Sequence, residues 1–343
     1  MNEQRRVQRV GRSTLTVSLP IQFVKDLEIH QGDNLVILEE ADGTLRLVPK
    51  AKSPKTVKAS IKVEAVDTED LLSRLIVSCY MLGYDAIELT SKSGISPSYL
   101  THASRTLRKL RGVEIVESSS SRLLAQSFMD PTKFPVDSLI KRLQLLVSRS
   151  LASSIEAIRS GNPSLLREVK GIQEEVDELY WLIVRQLLVA LGNREISGKI
   201  GLESPLHTSG DRVSAKTIDE IGRLILEITQ ETVDARGEGR KPQAKAVAMV
   251  EGLARMVQDS FEVSMESLLT PEIRTMEKAT AKIEEALHAE REITTELTEP
   301  EVAYLRTMTL DLGQVARYCT IILEISLNRL LRKTSRVCAI QIQ

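Results

Sequence analysis

The chain has 343 residues, a formal net charge of −1 and only 3% aromatic residues. This length is ample for two or three domains with hydrophobic cores. The near-neutral charge excludes a nucleic-acid-binding surface spread over the whole chain, and the low aromatic content argues against modules that stack on single-stranded bases.

The first region, residues 1–52, is predicted as strand, strand, short helix, strand, strand. Apolar residues alternate with Thr16 and Ser18 before Pro20, which is the pattern of a half-buried strand followed by a helix start. The segments "NLVILEE", "ADGT" and "LRLVPK" then predict a strand, an Asp-Gly hairpin turn and another strand. The segment "KAKSPK" is typical of a linker.

Basic residues are concentrated at the start of this region. Before Asp26 there are five basic residues and one acid, and Arg9 and Arg12 flank a glycine at which we expect a turn. A solvated strand edge is the alternative to a binding surface. Residues 135–343 carry 27 basic and 31 acidic residues, so any surface for nucleic acid must lie in the N-terminal region.

The second region, residues 55–130, alternates strands and helices in the order β-α-β-α-β-β. Thr68 is the predicted N-cap of its first helix. A module of this size and order suggests a small α/β, ferredoxin-like sandwich. Its sequence specifies no ligand, so we interpret it as a spacer or dimerisation module, with a small-ligand site as the alternative.

The third region is predicted to be helical throughout, with six helices whose apolar residues recur every three or four positions. The segments "IGRLILEITQ" and "VARYCTIILE" coincide at an offset of 94 residues, so that Arg223 pairs with Arg317. We therefore predict a bundle of two three-helix repeats, residues 135–240 and 241–335.

The N-terminal segment "VQRVGRSTLTVSLPIQFVKDLEIHQGDNLVILEEADGTLRLVP" resembles a SpoVT/AbrB-type swapped-hairpin DNA-binding domain. The resemblance covers nearly all of residues 1–52 and implies a homodimer with interleaved hairpins on double-stranded DNA. It implies that Arg6, Arg9 and Arg12 contact DNA, with Ser13 and Thr14 as phosphate or base-edge partners; Arg5 is a weaker candidate. A fifty-residue half-barrel also buries too little apolar surface to be stable alone.

The helical region is similar to PhoU, the phosphate-uptake regulator family, through "NPSLLREVKGIQEEVDELYWLIVRQLL", "IDEIGRLILEI" and "LGQVARYCTIILEI". PhoU proteins often bind iron or zinc through paired carboxylates. The third helix of each repeat has an aspartate of such a pair in the family. In this chain Arg223 and Arg317 stand at those positions, and an arginine repels cations. We expect these arginines to pair with Asp177 and Glu284, and we predict neither a metal nor another cofactor.

Together these resemblances imply a regulator of phosphate homeostasis that represses phosphate-transport genes when phosphate is plentiful. Its signal would come from the phosphate transporter ATPase or a small ligand. The alternative is an adaptor that docks on that ATPase and inhibits it, without binding DNA. No phosphate-binding loop, histidine pair or nucleophile with a base partner supports an enzyme.

The cellular location is expected to be the cytoplasm. Cys79, Cys319 and Cys338 fit neither a disulfide framework nor a zinc site. No apolar run approaches the ~18 residues of a membrane-spanning helix, and the N-terminus has no signal-peptide core. We therefore expect a soluble protein without membrane insertion.

Overall fold

A computed structural model of the chain describes residues 3–39, 43–49, 56–202, 205–240, 242–299 and 302–332. The chain separates into two compact units, residues 1–57 and residues 58–343. The first unit is strand-rich, and the second combines a small α/β module with a helical bundle.

The first unit has the predicted order of strands and helix. Its elements are β1 (Gln8–Val10), β2 (Thr14–Thr16), α1 (Ile21–Asp26), β3 (Leu35–Glu39) and β4 (Leu45–Pro49). β1 pairs with β2 and β3 pairs with β4, both antiparallel, in two separate two-stranded sheets. Two-stranded sheets are at best marginally stable alone in water, so the unit needs further contacts.

The described part of this first unit has no buried residue. Many of its large apolar side chains are exposed; for example, Leu15 is 65% exposed. The exposed large apolar residues in the described part of this unit are Val7, Val10, Leu15, Val17, Ile21, Leu27, Val36, Ile37, Leu45 and Val57. So much apolar surface on about fifty residues is typical of a protein that associates through it.

The α/β module forms a four-stranded sheet with two helices. Its elements are β5 (Lys58–Lys62), α2 (Glu69–Met81), β6 (Ala86–Thr90), α3 (Pro97–Lys109), β7 (Val113–Ser118) and β8 (Arg122–Ser127). The predicted cap is present, because Thr68 Oγ1 accepts a hydrogen bond from the Leu71 amide at 3.1 Å. Leu72, Ile76 and Leu107 of the helices pack with Leu89 and Leu123 of the sheet in one core.

The connectivity of the module differs from that of a ferredoxin-like fold. Its strand order is β5-β6-β8-β7, with β5 parallel to β6 and the other pairs antiparallel. A ferredoxin-like fold orders its elements β-α-β-β-α-β. The predicted α/β module and its element order are confirmed, but β5 and β6 are adjacent parallel strands and the β7-β8 hairpin completes the sheet.

Within the described residues, the bundle contains six long helices in two groups of three, with a short helix α6 (Arg194–Lys199) inside the first group. The first group is α4 (Val136–Ser160), α5 (Pro163–Gly192) and α7 (Pro205–Gly237); the second is α8 (Ala244–Leu269), α9 (Ile273–Glu296) and α10 (Ala303–Leu331). The three helices of each group contact one another. Between the groups, α4 packs on α8 and α7 packs on α10, so a continuous apolar core runs through both.

Arg185 of α5 joins the α/β module to the bundle. Its side chain is 6% exposed, and Nη1 donates to the carbonyls of Tyr80 at 2.8 Å and Tyr84 at 2.9 Å. The guanidinium carbon lies 5.0 Å from the centroid of the Tyr80 ring. The Tyr80 carbonyl lies in the last turn of α2, where a cation is favoured by the helix dipole, and Tyr84 lies three residues beyond that helix.

Two ion pairs flank this contact. Lys109 reaches Glu174 at 3.5 Å, and Arg111 reaches Glu178 at 3.3 Å. The module and α5 therefore share buried and charged contacts along one side of the helix.

Candidate nucleic-acid interface

The β1-β2 hairpin holds the arginines that the sequence singles out. Arg9 lies in β1 opposite Leu15 of β2, and Arg12 lies in the turn between the strands. Gly11, which has φ of +70°, makes this turn possible because a residue with a Cβ is strained in that conformation. Arg6 lies two residues before β1.

The register of the hairpin separates two of the predicted DNA contacts. Arg9 pairs with Leu15, whereas Val10 pairs with Thr14. Because successive residues of a strand point to opposite faces, Arg9 and Thr14 lie on opposite faces of the hairpin. Arg12 and Ser13 lie in the turn at the tip of the hairpin. The alternation of strand residues therefore does not assign their side chains to either face.

The predicted guanidinium groups are free to meet an anion. Arg6, Arg9 and Arg12 are exposed, and none has an ion pair or hydrogen bond to a described residue. Arg5, the weaker candidate, is different, since its Nη2 is held by Glu3 at 2.5 Å. The three predicted arginines are therefore an uncompensated positive group on the hairpin.

Two acids of the same unit accept hydrogen bonds from residues close to them in sequence. Asp26 accepts a hydrogen bond from Gln22 Nε2 at 2.6 Å, and Asp33 accepts one from the His30 amide at 2.8 Å. Neither interaction neutralises a guanidinium of the hairpin. Lys25 and Arg46 are further exposed cations of the unit, and only their charge could have marked them in the sequence.

A second polar cluster lies between α5 and α7 of the bundle. Arg223 Nη2 is 2.7 Å from Asp177 Oδ1 and 3.3 Å from Asp219 Oδ1. Asp219 is fully buried and also contacts Lys216 Nζ at 2.9 Å and Gln173 Nε2 at 3.3 Å. Burial raises the pKa of Asp177, against the opposing charge of Arg223.

The second repeat has a simpler version of this cluster. Arg317 Nη2 of α10 is 3.2 Å from Glu290 Oε2 of α9, which is buried. The prediction that Arg317 pairs with Glu284 is wrong, because Glu284 is exposed on α9. Gly313 allows the approach, since a Cβ there would lie 2.6 Å from Glu290 Cγ.

These clusters do not fit the paired-carboxylate metal site that the PhoU resemblance implies. Each contains an arginine within 3.3 Å of its carboxylates, and a guanidinium cannot ligate a metal. Within the described ranges, no group of three His, Cys, Asp or Glu side chains is arranged to hold a metal ion. Arg223 and Arg317 instead supply the positive charge that the buried acids require.

Comparison with known families finds a match for each of two segments of the chain. Residues 8–55 match the family described as antidote-toxin recognition MazE, bacterial antitoxin, and residues 140–232 match the PhoU domain. The chain therefore contains a MazE/AbrB-like segment followed by a PhoU domain. Both are regulatory rather than catalytic families, and the two resemblances stated from sequence are confirmed over residues 8–55 and 140–232. A comparison with curated proteins finds no match.

The PhoU match coincides with the first three-helix group, from within α4 to near the end of α7. It includes Asp177, Asp219 and Arg223, so the polar cluster belongs to the PhoU domain itself. Among the described helices, none is long and apolar enough to cross a membrane.

Proposed function

We propose that this protein is a transcriptional regulator that represses phosphate-uptake genes when phosphate is plentiful. The observation that carries the proposal is the presence, in one chain, of a hairpin with three free arginines and a PhoU domain. The hairpin binds double-stranded DNA at the regulated genes. The PhoU domain and its second repeat receive the signal.

Arg6, Arg9 and Arg12 supply most of the affinity for DNA. Guanidinium groups bind phosphates through paired N–H donors, and each phosphate that they neutralise releases counterions. Ser13 and Thr14 add hydrogen bonds to phosphates or base edges. Because Arg9 and Thr14 lie on opposite faces, we propose that Arg9 contacts the phosphate backbone while Thr14 contributes from the other side of the hairpin.

The active form is a homodimer through the N-terminal unit. A second copy would cover the apolar side chains that one copy leaves exposed, and apolar burial is the main driving force of such association. Two copies also present two sets of arginines to one duplex, which favours a site with two half-sites.

The PhoU part senses phosphate status in the cytoplasm, either from the ATPase of the phosphate transporter or from a small ligand. It has no catalytic role. The competing hypothesis is an adaptor that inhibits the transporter ATPase and uses its N-terminal unit only to dimerise.

Binding of the full chain to the DNA upstream of its own gene separates the two hypotheses. A labelled duplex should form a saturable complex that weakens steeply with salt and is competed poorly by unrelated duplex. A mutant with Arg6, Arg9 and Arg12 all changed to Ala should lose the complex while remaining a dimer. Equal binding of own and unrelated DNA, or no binding, would favour the adaptor.

A further inference from the structure

A cavity of about 490 Å³ lies beside α7 and the start of α10. Four acids line it: Glu227, Glu231 and Asp234 on α7, and Glu238 just beyond the end of that helix. Their spacings of four, three and four residues place them on one side of the helix. From Glu227 to Asp234 the row is about 10 Å long, at a rise of about 1.5 Å per residue.

Part of this negative charge is uncompensated. Glu238 pairs with Arg240 at 2.9 Å, and Asp234 accepts hydrogen bonds from Gln230 at 2.8 Å. By contrast, Glu227 and Glu231 have no ion pair with a described residue, and neither has Asp311 of α10.

The charges of these carboxyl groups act on the pKa values of Glu231 and Asp311. Burial raises the pKa of Glu231, and the charge of Asp311 raises it further, while Arg240 opposes the shift. Burial also raises the pKa of Asp311, and the charge of Glu227 adds to this shift. Glu227 and Glu231 line the cavity, and the charge of Asp311 on α10 adds to the negative potential at Glu231.

Tyr304 provides an independent sign that a polar ligand is missing. It lines the same cavity, is 5% exposed, and its hydroxyl has no hydrogen-bond partner. Burial raises the pKa of this hydroxyl, Arg236 and Arg240 lower it, and Glu231 raises it, so the hydroxyl lies within the field of the acidic row. A buried hydroxyl without a partner is costly and uncommon in folded proteins.

The lining favours an organic cation over a metal ion. The described residues offer no group of three acids, histidines or cysteines that could ligate a metal. Lys170 and Arg240 are the cations that line the cavity, against four acids. Leu226, Ala235 and the Tyr304 ring supply apolar wall between the charges, which suits methylene groups.

We propose that this cavity binds a linear aliphatic diamine or polyamine. Its ammonium groups donate hydrogen bonds to the carboxylates of Glu227 and Glu231, and the Tyr304 hydroxyl oxygen accepts a further N–H hydrogen bond. Its methylene chain lies against the apolar wall. A chain with ammonium groups a few bonds apart matches a row of acids spaced by about one helical turn. This site is separate from the N-terminal hairpin and does not depend on DNA binding.

Calorimetric titration of the full chain with spermidine and with putrescine tests the proposal at constant ionic strength. We expect saturable binding that Mg²⁺ at the same ionic strength does not displace. Glu231→Gln should weaken binding about tenfold or more, since hydrogen bonds to charged groups contribute about 1.5–3 kcal/mol. Glu284→Gln is the matched control, because Glu284 is an exposed acid on α9 that does not line the cavity. The Glu284→Gln variant should bind the amine with the affinity of the unmodified chain.

A second variant tests the hydroxyl without changing charge. Tyr304→Phe should weaken spermidine binding several-fold but leave the affinity for tetramethylammonium unchanged, because that cation has no N–H to donate. The proposal is overturned if neither amine binds saturably, if Mg²⁺ displaces the amine at equal ionic strength, or if Glu231→Gln and Tyr304→Phe bind as the control does. Circular dichroism of each variant confirms that the helices remain folded.

Discussion

Arg223 and Arg317 make the same kind of contact in the two halves of the bundle. Each lies on the third helix of its group and pairs with a carboxylate of the second helix, Asp177 at 2.7 Å and Glu290 at 3.2 Å. The 94-residue offset found in the sequence relates these two arginines. A duplicated ion pair between equivalent helices supports a duplicated three-helix unit, even though the PhoU match covers only residues 140–232.

The two pairs should differ in their effect on stability. Arg317→Ala leaves buried Glu290 without its cation, which should lower the free energy of unfolding by about 1–3 kcal/mol; the 47% exposure of Arg317 keeps the loss below that of a fully buried pair. Arg223→Ala should cost less, because Asp219 keeps Lys216 and Gln173. Urea denaturation measures both.

The control for this experiment is Arg255→Ala, which removes an exposed arginine paired with Glu251 on the same helix. Its effect should stay within about 0.5 kcal/mol. Adding Glu290→Gln to Arg317→Ala should restore part of the loss, because the unpaired charge is then gone. Equal effects of all three arginine variants would contradict a structural role for the Arg317–Glu290 pair.

The salt dependence of DNA binding tests Arg9. In a dimer, Arg9→Ala removes two phosphate contacts, so the slope of log K against log salt should become shallower by about 2. Arg74→Ala makes the same charge change at an exposed ion pair of the α/β module and should leave the slope unaltered. If the slope of Arg9→Ala equals that of Arg74→Ala, Arg9 does not contact phosphate.

Self-association of the N-terminal unit is expected from its exposed apolar residues. A fragment of residues 1–57 should be a dimer whose melting temperature rises with protein concentration, since folding and association are coupled. Ile37→Asp, which places a charge on a 61% exposed apolar position of β3, should abolish the dimer if this strand is covered by the second copy. A fragment that melts at the same temperature at all concentrations would contradict the dimer.

The α/β module should lose stability in acid through Glu88. Hydrogen bonds from Lys58 and Arg122 lower the pKa of Glu88, so its ionised form stabilises the fold. This stabilisation is present above the ordinary glutamate pKa of about 4.3 and is lost as the pH falls through the lowered value. Glu88→Gln should therefore flatten the pH dependence of unfolding below about pH 4.3, whereas Glu114→Gln, an exposed acid on β7, should not. Identical acid profiles for the two variants would exclude Glu88 as a source of this dependence.

Metal content is a separate expectation. Purified protein should carry far less than one iron or zinc ion per chain, because Arg223 and Arg317 oppose a cation beside the bundle acids. Elemental analysis measures this directly. One or more tightly held ions per chain would show that a carboxylate set other than these arginine-paired clusters binds metal.

The order of elements was predictable because its signals are local. Each signal depends on a short stretch of chain. The signals are the alternation of apolar and polar residues before Pro20, the glycines at the turns, and the apolar residues spaced by three or four positions in the bundle helices. The Thr68 cap and the α/β module with its β-α-β-α-β-β order were found in the same way.

Long-range partners were not predictable from one sequence. The order β5-β6-β8-β7 depends on which strand edges meet, and local pattern says nothing about that. Glu284 and Glu290 both lie on α9, and only the rotation of this helix against α10 decides that Glu290 is buried beside Arg317. Arg185 is a similar case. Nothing in the sequence around it shows that this arginine is buried and hydrogen-bonded at the end of α2 instead of exposed to solvent.

The contact between Arg185 and the end of α2 makes the two halves of the bundle unequal. The α/β module rests on α5, whereas no comparable module covers the corresponding helix α9 among the described residues of this compact unit. A duplicated unit would otherwise offer two similar outer helices to any binding partner. Within residues 58–343 the module covers α5 and leaves α9 accessible. A binding partner that recognises the outer helix of a repeat can therefore reach it in the second repeat but not in the first.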